Sequence, residues 1–225
     1  MKFFRVPHRR YAYSRRFPSL DKWSDKAINM HTQLLGEMIW AWNDLHQSLA
    51  FLFGYVIQSS NGSMGEAIWA ALKNDSAQRD ALLAATKIHY GEKSPLGRRM
   101  CWVIKEVNWL SQFRNDFVHT AMGGFTFGPT GLVTAPSFHA VRIGRIKRFS
   151  KADTFKILRS MRGDLIQLCH YVQDLSQRVD PCGIQIIGKW PDRPQLHSHK
   201  LMKGLYPPIH KKKPRQKKLP QQTVA

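Results

Sequence analysis

Cysteine is scarce: Cys101, Cys169 and Cys182 are the only three, an odd number without C-x-x-C spacing. That argues against a disulfide framework and a structural zinc site, and sets the expectation of a reducing, cytoplasmic setting. Long apolar runs are missing too. The most apolar stretch, 39–57, contains Asn43, Asp44, His46 and Gln47, too polar for a bilayer span, so the chain reads as soluble and without a membrane partner. Residues 1–18 hold Arg5, Arg9, Arg10, Arg15 and Arg16 and no apolar core, unlike a secretory signal. Acids are few, and they stand singly, without the paired carboxylates of two-metal nuclease chemistry. A phosphate-cradling glycine loop is absent, because Gly123-Gly124 lacks the following Lys and helix. His197, His199 and Cys182 lie in a segment whose composition fixes no geometry, so neither a metal nor another cofactor is expected.

What is abundant is positive charge. The chain carries 35 Lys and Arg against 15 Asp and Glu, a formal net charge of +20. Residues 1–23 and 180–225 supply most of the excess, while the middle is modestly basic. Basic ends of this kind are an electrostatic footprint for a polyanion. The reading is therefore a basic aromatic arm over 1–22, one helical domain over 23–180, and a disordered Pro-rich basic tail over 181–225.

Apolar periodicity organises the middle. Ala27, Leu34, Met38, Trp42, Leu45, Leu49 and Leu52 recur at spacings of three, four and seven, predicting a long amphipathic helix from about 24 to 55. Ile39, Trp40, Phe51 and Phe53 widen its apolar surface, so contact on two sides is expected, by core packing or by a second subunit. Ser63 caps a short helix to about 73. Asn74 or Asp75 caps another to His89, with Ala81, Leu82, Ala85 and Ile88 inward and Gly91 stopping it. Ser94-Pro95 starts a helix through Met100, Val103, Val107, Leu110 and Phe117 to about His119. Phe125–Phe127 and Leu132-Val133, around Gly128-Pro129-Thr130-Gly131, predict a small hairpin or ordered loop, followed by a basic extended piece at His139–Arg148. Ser150-x-x-Asp153 opens the last helix, through Phe155, Leu158, Met161, Leu165, Leu168, Val172 and Leu175 to about Val179, where Asp180-Pro181 ends it. The fold class is all-α: an up-and-down bundle of about four to five helices with that insertion before the last one.

The chemistry concentrates at Ser111–Thr120, S-Q-F-R-N-D-F-V-H-T. An Arg followed five places later by His is uninformative by itself, but with Asn beside the Arg the chance expectation falls to about 0.02. Arg114 lies four residues after Leu110 and three before Phe117, on the apolar stripe; Asn108, Ser111, Asn115 and His119 form a separate polar one. RNA cleavage without a metal needs a base for the 2′-hydroxyl, an acid for the leaving oxygen and positive charge on the phosphorane. His119 can titrate near neutrality and Arg114 keeps its charge. Five helical residues separate the two side chains by about 140°, so one helix does not aim both at one point, whereas two facing copies would.

R-N-D-F-V-H, Arg114 to His119, resembles the signature of the HEPN superfamily, Arg, a polar residue and then His at a helix end in a four- or five-helix bundle. The resemblance rests on the motif and on helix order. It implies a metal-independent endoribonuclease acting as a homodimer on RNA, with Arg114 and His119 catalytic and Asn115 supporting them, and leaves room for an antitoxin or regulatory protein as partner. Ala121 stands where one toxin branch carries a tyrosine, so regulation by tyrosine modification is not implied. Arg142, Arg145, Lys147 and Arg148, with Lys211, Lys212, Lys213 and Arg215 of the tail, are the expected RNA-binding cations. Two other readings remain: a noncatalytic RNA-binding or interaction module on the same scaffold, in which Arg114 pairs with Glu37 or Asp44, and an adaptor docking protein on the first helix.

Overall fold

A computed structural model describes residues 18–58, 62–119, 122–128, 131–136, 153–179 and 189–202; for 18–25, 27–28, 62–63, 119 and the two strands it gives the backbone alone. Helix dominates: α1 (Pro18–Val56), α2 (Gly62–Ala71), α3 (Asp75–His89), α4 (Pro95–His119), α5 (Thr154–Val179) and α6 (Ser198–Met202). Among the described residues no helix is long and apolar enough to cross a membrane.

The longest helix is the spine. On α1, Met38, Trp42, Leu45, Leu49, Leu52 and Val56 are buried at alternating steps of four and three, the spacing that keeps one seam facing a partner. On α5, Leu158, Met161, Leu165, Leu168, Val172 and Leu175 answer with the same alternation, and the two helices share the most extensive contact among the described elements. Each such side chain contributes about 1.5–3 kcal/mol on burial. α2 packs on α1, α3 on α4 and α1, and α4 on α5 and α1. Of the residues expected to widen the first helix's apolar surface, Phe53 is buried and Ile39 half-buried, whereas Trp40 and Phe51 face solvent.

Local chemistry sets the helix ends. Asn74, rather than Asp75, caps α3, its Oδ1 accepting the Ala77 N–H at 2.9 Å. Gly91, at φ +71°, ends that helix in the left-handed conformation and donates to the Lys87 carbonyl. Ser94 Oγ accepts the Gly97 N–H and starts α4. Asp153 caps α5 through Lys156 N–H at 3.0 Å, so the cap is the second of the two residues in the expected Ser150/Asp153 pair. On α3 the inward residues are Arg79, Leu82 and Thr86. Ile88, six residues past Leu82 and so about 240° around the helix, is exposed, against expectation.

Between α4 and α5, β1 (Met122–Gly128) and β2 (Gly131–Pro136) pair antiparallel, with Phe125 opposite Thr134 and an irregularity between Met122 and Gly124. This hairpin lies beside α1 and α5. The extended piece expected at 139–148 lies outside the described residues.

Both expected terminal boundaries move. Residues 18–22 belong to α1 rather than to the basic arm. Lys189–Met202, assigned to a disordered tail by its Pro, His and Lys content, instead forms a strap over α4 and α5. Trp190 sits between the guanidinium groups of Arg99 and Arg178, 5.0 and 4.8 Å from its ring. Arg193 covers Trp102 at 5.2 Å. The carboxylate of Asp164, fully buried on α5, accepts the backbone N–H of His197 at 2.8 Å and of Ser198 at 2.7 Å, and Met202 is fully buried. One cation of the strap itself, Arg193, is used both on the Trp102 face and as a donor to the Arg98 carbonyl at 3.3 Å.

Candidate functional site

The end of α4 meets α1 and the start of α3 around a small polar cleft of about 210 Å³, lined by residues that include Trp42, Asn43, His46, Gln47, Asp75, Gln78 and Arg114. Its floor is the indole of Trp42, buried on the α1 seam. Arg114 occupies a seam position of α4, and its guanidinium therefore lands on that indole, 5.5 Å from the ring. Here the apolar-stripe placement of Arg114 has its physical meaning: a cation is accommodated because the facing residue offers a π surface.

Three further contacts hold Arg114. Its Nη1 donates to Asn115 Oδ1 at 2.9 Å and lies 3.9 Å from Asp75 Oδ2. Its Nε is buried without an acceptor among the described residues. Asp75 also accepts the Trp42 indole N–H at 3.2 Å, which explains why it does not serve as the α3 cap. The acid facing Arg114 is thus Asp75 of α3; Glu37 pairs instead with Arg162 of α5, at 3.4 Å.

Behind the cleft lies a second guanidinium. Arg79 is 4% exposed, and its described contacts are all to uncharged groups: Nε donates to Asn108 Oδ1 at 2.6 Å, Nη1 to His46 Nε2 at 3.2 Å, and the group lies 5.7 Å from the Trp42 ring. Burial lowers its pKa from the ordinary arginine value, with Asp75 and Asp80 opposing and Arg114 reinforcing. His46 stacks on Trp42 with ring centres 4.7 Å apart. Burial holds its pKa down to about 4; Asp75 opposes, and Arg79 and Arg114 add to the depression. At neutral pH His46 is an uncharged acceptor. A guanidinium can only donate, so the Arg79 contact assigns Nε2 as acceptor and leaves the proton on Nδ1.

The expected site residues divide as follows. Arg114 and Asn115 are brought together at the cleft, and Asn108 of the polar stripe orients Arg79. His119 is the last residue of α4, but its side chain lies outside the described residues, as do Arg142, Arg145, Lys147, Arg148, Lys211, Lys212, Lys213 and Arg215. Sequence reasoning did not assign His46, Arg79, Asp75 or Trp42 to this site. The available signal was the step of four from Trp42 to His46 on α1 and the presence of Arg79 on α3 in line with Leu82 and Thr86.

Fold and site together define a mostly helical protein with a cationic, tryptophan-floored cleft. No family model matches the chain, and neither the curated proteins nor the solved structures provide a match.

Proposed function

We propose that the chain is a metal-independent endoribonuclease, an up-and-down helical bundle working as a homodimer. The observation that carries the proposal is the pairing of Arg114 and Asn115 at the mouth of a polar cleft, one turn before α4 ends at His119. A 2′-hydroxyl attacks the adjacent phosphorus, forming the new P–O bond of a 2′,3′-cyclic phosphate, and the 5′ oxygen leaves and takes up a proton. Arg114 stabilises the charged phosphorane, and Asn115 holds the Arg114 guanidinium in place. His119 serves as base or acid, and the His119 of a second copy supplies the complementary role. The basic ends hold RNA through its phosphates.

The engagement of Arg114 by Asp75, Asn115 and Trp42 also favours a second reading, in which Arg114 is a structural residue of a noncatalytic RNA-binding or interaction module. One experiment separates the two. Purified protein is incubated with labelled RNA in EDTA beside Arg114→Ala and His119→Ala. The nuclease reading expects cyclic-phosphate products from the wild type, a loss of at least about a hundredfold in each variant, and no cleavage of an all-2′-deoxy substrate. Cutting that survives in both variants, or none from the wild type, sinks it.

A further inference from the structure

Among the described residues, charge in and behind the cleft does not balance. Arg114 and Arg79 face one neighbouring carboxylate, Asp75, which is shared with the Trp42 indole and lies 3.9 Å from Arg114. Arg79 is buried against an amide, a neutral imidazole and an aromatic face, and Asp80 influences it from a distance without pairing. A buried cation surrounded by neutral acceptors retains an uncompensated positive potential, which is projected into whatever lies next to it. What lies next to it is the cleft, where Arg114 Nε also has no acceptor among the described residues. The remaining lining supplies donors of a second kind, the side-chain amides of Asn43 and Gln47, while Gln78 donates its Nε2 to the Trp69 carbonyl at 3.1 Å. At about 210 Å³ the cleft is smaller than the roughly 300–1,000 Å³ of pockets that enclose a whole small molecule. It suits one anionic group of a longer ligand lying across the surface.

We propose that this cleft is a phosphate-binding site, in which Arg114 and the amides of Asn43 and Gln47 meet the anion while Arg79, held by His46 and Asn108, supplies the field from behind. The site is complete within one chain. It deepens the proposed function in naming where an RNA phosphate sits, and rests on that reading only in taking Arg114 to face ligand; it does not require cleavage. Arg79 is a positioning residue. His46 keeps it in place by offering a lone pair in place of a proton, and Asp75 is the built-in competitor that a phosphate displaces from Arg114.

The test is a calorimetric titration of the full chain at low ionic strength with inorganic phosphate, then with a short RNA bearing a 5′-phosphate, the same RNA with a 5′-hydroxyl, and uridine. Asn43 is exposed, so Asn43→Glu places a carboxylate at the mouth without removing a buried contact. Asp75→Asn removes the competing charge and keeps an oxygen for the Trp42 N–H. The expected result is saturable phosphate binding, weakened about five- to tenfold by Asn43→Glu and strengthened by a similar factor in Asp75→Asn. Neither variant alters the basic ends, so the difference reports the cleft. A 5′-phosphorylated RNA binding more tightly than the 5′-hydroxyl form identifies a terminal monoester, and equal binding identifies the backbone diester; either supports the site. Uridine competing as well as phosphate, or both variants titrating like the wild type, overturns it. Phosphate binding without RNA cleavage would refute the nuclease reading alone, and cleavage with unchanged titrations would refute this inference alone.

Discussion

At the scale of the residue, His46 connects the cleft to pH. Its pKa is lowered to about 4 in the folded chain, whereas an unfolded chain returns it to about 6.5. Between those values the unfolded chain binds more protons, so stability is fully present above about pH 6.5 and is lost as pH falls toward 4. Burial lowers the pKa of His31 on α1 as well, in the same sense. Thermal unfolding across this window should show the wild type losing about 2–3 kcal/mol through His46, and His46→Gln showing that much less pH dependence. A His46→Gln profile that parallels the wild type would contradict the assignment. The reason His46 escapes a sequence reading is the reason it matters. Beside Asn43, Asp44 and Gln47 it reads as part of a polar helix face, and only the arrival of Arg79 from α3 turns it into a half-buried acceptor. Arg114 was legible because its own helix fixes its stripe, whereas its carboxylate partner depends on how α3 docks and was misassigned to α1.

Elements were legible wherever periodicity ran long. α1, α4 and α5 follow their apolar spacing to within a few residues, except that α1 extends upstream to Pro18. Ile88 and the strap failed for different reasons. A short helix such as α3 can turn either of two flanks inward, and its packing against α4 decided for Arg79, Leu82 and Thr86. The strap has no periodicity to read, and its backbone N–H groups at His197 and Ser198 are held by a single buried carboxylate, Asp164. Asp164→Asn should therefore loosen Lys189–Met202 at a cost of about 1.5–3 kcal/mol, the range for hydrogen bonds to a charged group, measured by denaturant unfolding and by faster proteolysis within 189–202. Unchanged protection of that segment would show that Trp190, Leu196 and Met202 anchor it alone. The α1–α2 contact has an equally sharp requirement. A Cβ placed on Gly65 would lie 2.6 Å from Gly54 Cα, so the helices approach backbone to backbone. Gly65→Ala should destabilise the chain by about 1–3 kcal/mol, the usual cost of overpacking, despite alanine's better helix propensity. A rise in Tm would mean that α2 is free to shift away.

For the whole molecule, the division of charge makes a quantitative claim about RNA binding. The described helical core mixes cations with Glu37, Asp75, Glu106 and Asp164, each engaged by a partner within the fold. The largest excess of positive charge lies in the two ends of the chain. If phosphates are held mainly there, log K should fall steeply and linearly with log salt, by about 0.7 for each phosphate neutralised on a single strand. Residues 207–225 contain six Lys and Arg. Deleting them should weaken binding at low salt and flatten that slope by up to about 4, with the unfolding midpoint unchanged, since Lys189–Met202 lies wholly upstream of the deletion. Binding through the α4 cleft behaves differently. Asn43→Glu changes one local charge, so it should lower affinity at every salt concentration and leave the slope nearly as it was. A tail deletion that leaves low-salt affinity intact would move the main RNA contact from the chain's end to the helical core. The cleft at Arg114 would then be the first place to look for it.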